Sequence, residues 1–175
     1  MYRQRLYETD CSFFHFFNQQ NHLASIMKYF THFGGATFTI VFTLSLSIFA
    51  SGSLQRAGWI ALFSLTISHL IVTVIKKIIP RNRPYLVLQN VTVVDNPFKD
   101  HSFPSGHTTA IFSILVPLMI TYPFLILPLL IVAVIVGLSR IVLGLHYPSD
   151  VLAGATLGGI SAILSYVLFI QLPFM

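Results

Sequence analysis

Charge is what this chain has least of. Only 9% of its 175 residues are Asp, Glu, Lys or Arg, where a soluble domain carries about 25%. That shortage excludes an ordinary water-solvated surface, so lipid must cover much of the protein. Cysteine is scarcer still: Cys11 stands alone, which excludes an intramolecular disulfide and leaves the redox compartment unread. Acidic residues number five against ten Lys and Arg, a formal charge of +5. A basic surplus ordinarily points to an anionic partner such as nucleic acid or a membrane surface. Here most basic residues lie between Lys76 and Arg140, beside hydrophobic stretches. That favours an anionic lipid group and argues against a nucleic-acid partner. The N-terminus does not read as a cleavable leader, because Asp10 and the run Asn18-Gln19-Gln20-Asn21 interrupt any apolar segment.

What the chain has in plenty is hydrophobic residues, 55% of the total. Residues 1–10 are polar and are expected to fray. From Ser12 to Phe33 the chain is aromatic but wet, with Leu23, Ile26, Met27 and Phe30 at helical spacing. That pattern suits an amphipathic helix in the headgroup region better than a span. Uncharged spans follow at about 35–50 and 57–75, separated by Ser51-Gly52-Ser53. A long polar connection, residues 76–105, carries Pro80, Pro84, Pro97 and Pro104. No residue from Thr108 to Ser139 is charged. At helical rise that run is roughly 48 Å, too long for one crossing of a core about 30 Å thick. Pro123 and Pro128 mark a hairpin that divides it into two spans. A last span runs from about Pro148 to Leu172. Its Gly154 and Gly158 have the small-xxx-small spacing that lets helices approach closely, and packing within the monomer is favoured over a dimer seam. The expected fold is therefore all-α: one domain, a membrane bundle of about five transmembrane helices with an N-terminal amphipathic interfacial helix. Whether copies of the chain associate as a homo-oligomer is left open.

Counting crossings has a chemical consequence. The second span ends at Lys76, the third begins near His107, the fourth ends near His146 and the fifth begins near Asp150. Antiparallel threading brings all four points to one membrane face.

Three polar clusters meet there. His146 and Asp150 fall one helical turn apart if Tyr147-Pro148-Ser149 is helical, and proline suits the first turn of a helix. The carboxylate can then hold one imidazole nitrogen and leave the other nucleophilic; taken alone, the pair reads equally well as a tie between helix ends. Pro104-Ser105-Gly106-His107 opens a helix whose free N–H groups attract an anion. Gly106 permits close approach, Ser105 adds a donor, and His107 is placed to act as a general acid. By itself the tetrapeptide reads as an ordinary serine cap. Lys76, Arg83 and Arg140 supply fixed positive charge suited to phosphate oxygens, or else snorkel at span ends, as Lys77 does. Arg81 and Lys99 stay unassigned. Each cluster is ambiguous alone, but three cations, a helix N-terminus and two histidines at one spot are hard to explain as anchoring.

These residues resemble the three-part signature of the type 2 phosphatidic acid phosphatase superfamily, the lipid phosphate phosphatases: K-x6-R-P, P-S-G-H and S-R-x5-H-x3-D. The chain fills every position, with Lys76 and Arg83-Pro84, Pro104-Ser105-Gly106-His107, and Ser139-Arg140, His146 and Asp150. The resemblance covers residues 76–150 directly. Many members have six spans, and the wet segment 12–33 departs from that pattern.

The resemblance implies metal-independent, two-step phosphoryl transfer without a cofactor. In that scheme His146 is the nucleophile oriented by Asp150, and His107 is the acid for the leaving group. Lys76, Arg83, Arg140, Ser105 and Gly106 are the phosphate-binding residues. It also implies a lipid phosphate or diphosphate substrate of the phosphatidylglycerol phosphate, phosphatidate, undecaprenyl diphosphate or lipid A type, with membrane lipids as surroundings. The small size resembles bacterial members, so a plasma membrane with the site facing outward is expected. Rival readings are a phosphotransferase of the same family, a vanadate-dependent haloperoxidase, and a non-catalytic anion or lipid transporter.

Overall fold

The computed structural model describes residues 2–93 and 100–171, leaving Pro97, Lys99 and Leu172 outside the described residues. Those residues fold into helices α1 (Tyr2–Asn18), α2 (Asn21–Phe30), α3 (Ala36–Phe49), α4 (Gly52–Ile78), α5 (Pro84–Val87), α6 (Gly106–Thr121), α7 (Ile126–Val142) and α8 (Pro148–Gln171). Short 3-10 turns, Thr31–Gly34 and Pro123–Leu125, precede α3 and α7.

Among the described residues, three helical stretches are long and apolar enough to cross a membrane unaided: Gly52–Ile78, Pro123–Val142 and Pro148–Gln171. The pair His22–Gly34 and Ala36–Phe49, bent by 46°, passes the same test only when taken together, as a broken span or a re-entrant loop. Helix α6, apolar but only 16 residues long, is the fifth expected span. At helical rise it covers about 24 Å, which falls short of a typical hydrocarbon core. The chain is a membrane protein whose outer faces are apolar, as at Leu70 of α4, Leu127 of α7 and Leu152 of α8, all more than 60% exposed.

Helix α6 lies at the centre and touches α3, α4, α7 and α8. Being surrounded, it has no polar face to present. Its Ile111, Ile114, Leu115 and Leu118 pack with Ala57, Ala61 and Leu65 of α4 and Ala133 and Val136 of α7. Against α8 the approach is closest at two glycines. A Cβ at Gly154 would lie 2.7 Å from the Ser105 carbonyl oxygen, and one at Gly158 would lie 2.4 Å from that of Thr109. The small-xxx-small spacing thus serves packing within the monomer. Between α3 and α4, Thr39, Thr43 and Ser47 form a buried stripe four residues apart. Their hydroxyls donate to carbonyls of Gly35, Thr39 and Thr43 at 2.8–3.0 Å, which satisfies them where no water can.

The N-terminus departs from expectation. Residues 2–10 do not fray; they open the helix α1. The wet segment is two helices, with a break at Gln19 and Gln20. The reason is a packing face built partly from polar residues. Asp10, Phe14 and Asn18, each one turn from the next, are all buried, while Phe13 and Phe16 are exposed. Phe14 packs with Ile141 and Tyr147. Asn18 donates to the carbonyls of Thr92 (2.6 Å) and Val142 (2.9 Å) and accepts from the Thr92 N–H (2.9 Å). One side chain thereby ties the end of α1 to the 88–93 loop and to the C-terminus of α7.

Candidate active site

The spans place the ends of α4 and α7 and the starts of α6 and α8 together, as counting crossings predicts. The local chain path fixes the details. Helix α7 ends at Val142, and Gly144 turns the chain at φ +76°, where a Cβ would strike the Thr92 carbonyl oxygen at 2.4 Å. Only glycine fits that turn. The reversal lets the N–H groups of Leu145 (3.0 Å) and His146 (3.2 Å) both reach the Arg140 carbonyl. The five residues between Arg140 and His146 are the length of this turn.

His146 is buried, with Arg83 Nη1 3.2 Å from its Nε2. A guanidinium only donates, so Nε2 is the acceptor and the ring proton sits on Nδ1. On that side Ser102 Oγ lies 3.4 Å away and Asp150 Oδ2 3.6 Å away. The second distance is beyond a hydrogen bond but within ion-pair reach. Burial pushes the imidazole down from its ordinary 6.5 to about 3; Arg83 and Arg140 add to the fall and Asp150 opposes it. The ring is therefore neutral across the physiological range, with its Nε2 lone pair accepting from Arg83. That nitrogen faces a place suited to anionic oxygens.

Asp150, in the first turn of α8, is wholly buried. Its Oδ2 accepts from the Ser102 hydroxyl (2.5 Å) and the Tyr147 N–H (2.9 Å), and its Oδ1 from Arg81 Nη1 (2.7 Å).

Lys76 and Arg83 meet on Asp100. Lys76 Nζ donates to Asp100 Oδ2 and the His101 carbonyl, both at 2.6 Å. Arg83 gives Nη2 to Asp100 Oδ1 (2.6 Å), Nε to the Asp100 carbonyl (2.8 Å) and Nη1 to the Leu145 carbonyl (2.9 Å). Burial works against the Asp100 carboxylate, but the Lys76 and Arg83 contacts outweigh it and hold it down at about 2. Arg140 is buried and donates to the Thr31 hydroxyl. Lys76, Arg81, Arg83 and Arg140 stand against Asp10, Asp100 and Asp150, which leaves a small positive excess around His146.

Ser105 precedes α6, its hydroxyl paired with that of Thr108 at 2.9 Å and its N–H bonded to the Asp150 carbonyl at 3.0 Å. That last bond fastens the start of α6 to the start of α8. A Cβ at Gly106 would meet nothing within 4 Å, so packing does not require glycine there. His107 lies close enough to Arg140, His146 and Arg83 for their charges to act on it. Lys76, Arg83, His107, Arg140, His146 and Asp150 thus lie within electrostatic reach of one another, and Ser105 is bonded to Asp150. Beside it, a cleft of about 630 Å³ runs along α3, lined by residues that include Gly35, Phe38, Val41 and Phe42. A Cβ at Gly35 would be 3.8 Å from His107 Nε2.

Sequence reasoning missed Asp10, Asp100 and Ser102, and left Arg81 without a role. Ser102 and Asp100 carried no spacing signal. Asp10 shares α1 with Arg3, Arg5 and Glu8, so nothing in the sequence set it apart.

A family model described as the PAP2 superfamily matches residues 57–172. Among curated proteins, the chain is 30% identical over 119 residues to a lipid A 1-phosphatase of Rhizobium etli, covering 64% of this chain and 51% of that protein. The chain thus spans about half the length of that relative. It is also 30% identical over 150 residues to an undecaprenyl-diphosphatase of Sulfolobus acidocaldarius, covering 85% of this chain and 72% of that one. Among solved structures, a transmembrane PAP2-type phosphatidylglycerolphosphate phosphatase from Bacillus subtilis superposes with a TM-score of 0.77 at 24% identity, over 98% of this chain and 90% of that one. That likeness is one of fold.

Proposed function

The chain belongs to the PAP2 superfamily, and on that footing we propose that it is a membrane phosphatase acting on a lipid phosphate or diphosphate through a phosphohistidine at His146. The observation that carries the reading is the neutral, buried imidazole whose Nε2 faces Arg83 at 3.2 Å. An arginine there neutralises the phosphoryl group that the nitrogen attacks.

In the first step the His146 Nε2 lone pair forms a bond to phosphorus while the bond from phosphorus to the lipid oxygen breaks. His107 gives its proton to that departing oxygen. The nonbridging oxygens are held by Lys76, Arg83, Arg140, Ser105 and the Gly106 amide. In the second step water attacks phosphorus, His107 takes a proton from it, and the P–N bond breaks to return neutral His146 and inorganic phosphate. Little covalent work falls to the protein, since phosphoryl transfer asks mainly for positioning and charge stabilisation. The cations Lys76, Arg83 and Arg140 suit the oxygens of a phosphate group.

The apolar cleft along α3 supports a lipid leaving group, because hydrocarbon lying against Phe38, Val41 and Phe42 would bring the head oxygen to His107. Cations line the site, and among the described residues no group of three or more His, Cys, Asp or Glu is arranged to hold a metal ion. The cation-rich lining favours a metal-independent reaction. We favour an isoprenyl diphosphate or a glycerophospholipid monophosphate, in a bacterial plasma membrane with the site facing outward. Labelling a cysteine placed at Gln89, in a Cys11→Ser background, on intact cells tests the orientation.

The test of function is phosphate release from a panel of lipid phosphates, wild type beside His146→Ala, with and without EDTA. The reading expects release by wild type in both buffers and none by the variant. Equal turnover by the two proteins would remove the nucleophile. Loss of wild-type activity in EDTA would mean a metal-assisted reaction.

A further inference from the structure

The hydrogen bonds behind His146 continue past Asp150. Arg81 donates Nη1 to Asp150 Oδ1 at 2.7 Å and Nη2 to Asp10 Oδ2 at 2.6 Å. Asp10 also accepts from Ser149, through Oδ1 from the N–H (2.9 Å) and through Oδ2 from the hydroxyl (2.5 Å). Arg81 Nη1 donates to that same hydroxyl at 2.7 Å. Its guanidinium lies 3.9 Å above the Tyr147 ring. Asp10 belongs to α1, outside the residues 57–172 matched by the family model.

The division of labour at Asp150 gives this chain its meaning. One oxygen, Oδ2, faces His146; the other is held by Arg81. With Oδ1 anchored the carboxylate plane cannot rotate, and Oδ2 stays turned to the imidazole. Arginine is long and flexible, so it anchors only if it is itself held. Asp10 holds its second nitrogen and Tyr147 holds its face. Asp10 further fixes the first turn of α8, from which Asp150 projects. We propose that Asp10 and Arg81 are positioning residues for phosphoryl transfer, reaching from α1 and the loop after α4 to hold Asp150, and through it His146, in the attacking orientation. The inference rests on the phosphatase reading with His146 as nucleophile.

A merely structural clamp and a positioning clamp differ in which kinetic parameter they move. Asp10→Asn, Asp10→Glu, Arg81→Gln and Arg81→Lys are assayed in mixed micelles against phosphatidic acid, phosphatidylglycerol phosphate and undecaprenyl diphosphate. Activity is expressed per folded molecule, from the monodisperse size-exclusion peak. For Asp10→Asn and Arg81→Gln, kcat is expected to fall about ten- to a hundred-fold while KM stays within about twofold, since neither residue touches phosphate. Arg81→Lys, which keeps the charge and one donor, is expected to recover part of that loss. The acid limb of kcat/KM adds a second readout. His146 faces Asp150 from α8, Arg83 from the loop after α4, Ser102 from the segment before α6, Arg140 from α7 and His107 from α6. Without Arg81 the Asp150 charge acts on the imidazole undiminished, so the limb moves to higher pH in Arg81→Gln.

Wild-type kcat in Asp10→Asn and Arg81→Gln, or a change confined to melting temperature or KM, would overturn the inference and leave the phosphatase reading standing. The more conservative Asp10→Glu and Arg81→Lys decide the matter if the first pair does not fold. Absence of phosphate release by wild type from all three lipids would instead overturn the phosphatase reading, and the inference with it.

Discussion

Arg83 Nη1 and His146 Nε2 lie 3.2 Å apart, and only one of them can be the donor. Because arginine offers no lone pair, the contact fixes the tautomer of the histidine without any hydrogen having to be seen. It also couples the first signature motif to the third across 63 residues.

The neutrality of His146 has consequences for pH. Its folded-state value, near 3, lies below the ordinary 6.5, so the unfolded chain binds more protons between those limits. Stability from the neutral buried ring is complete above about 6.5 and is lost as pH falls toward 3. Asp100, held at about 2 against an ordinary 3.8, extends the loss at the acid end with the same sign. The melting temperature should decline as pH drops below 6.5, and His146→Gln should flatten that decline. Equal slopes for both proteins would contradict the assignment.

For catalysis the same shift moves the acid limb of kcat/KM well below 6.5, while the need for a protonated His107 gives a limb on the alkaline side. His107→Ala should lower kcat about 10²- to 10⁴-fold and erase the alkaline limb. It should do less harm to an aryl phosphate, whose leaving group needs no proton. An acid limb centred on 6.5, or a profile flat from about pH 5 to 9, would contradict these roles.

Two glycines separate packing from chemistry. A Cβ at Gly158 would overlap the Thr109 carbonyl, so Gly158→Ala should force α6 and α8 apart at about 1–3 kcal/mol. It should lower the melting temperature. At Gly106 a Cβ meets nothing; Gly106→Ala should leave the melting temperature unchanged and reduce kcat/KM about ten- to a thousand-fold. Loss of stability rather than activity at Gly106 would assign it to packing.

The bundle was legible because lipid calls for long apolar stretches between polar ends. Hydropathy and prolines alone therefore located α3, α4, α6, α7 and α8, and antiparallel threading brought Lys76, His107, His146 and Asp150 together. Helix α1 was not legible. Its buried face joins Asp10 and Asn18 to Phe14, and an apolar-periodicity reading counts the first two as solvent-facing. Ser102 and Asp100 escaped for a related reason. Each matters through partners far off in sequence, Asp150 for one and Lys76 and Arg83 for the other, and no local pattern announces them.

The central claim is a covalent bond from phosphorus to His146, and trapping it is the most direct test. Wild type is quenched during turnover of a lipid carrying radiolabelled phosphate, and the denatured protein is digested. The account predicts label on the peptide bearing His146, lost in acid and stable in alkali, and absent from His146→Ala. Label on another residue, or full turnover by His146→Ala, would contradict it.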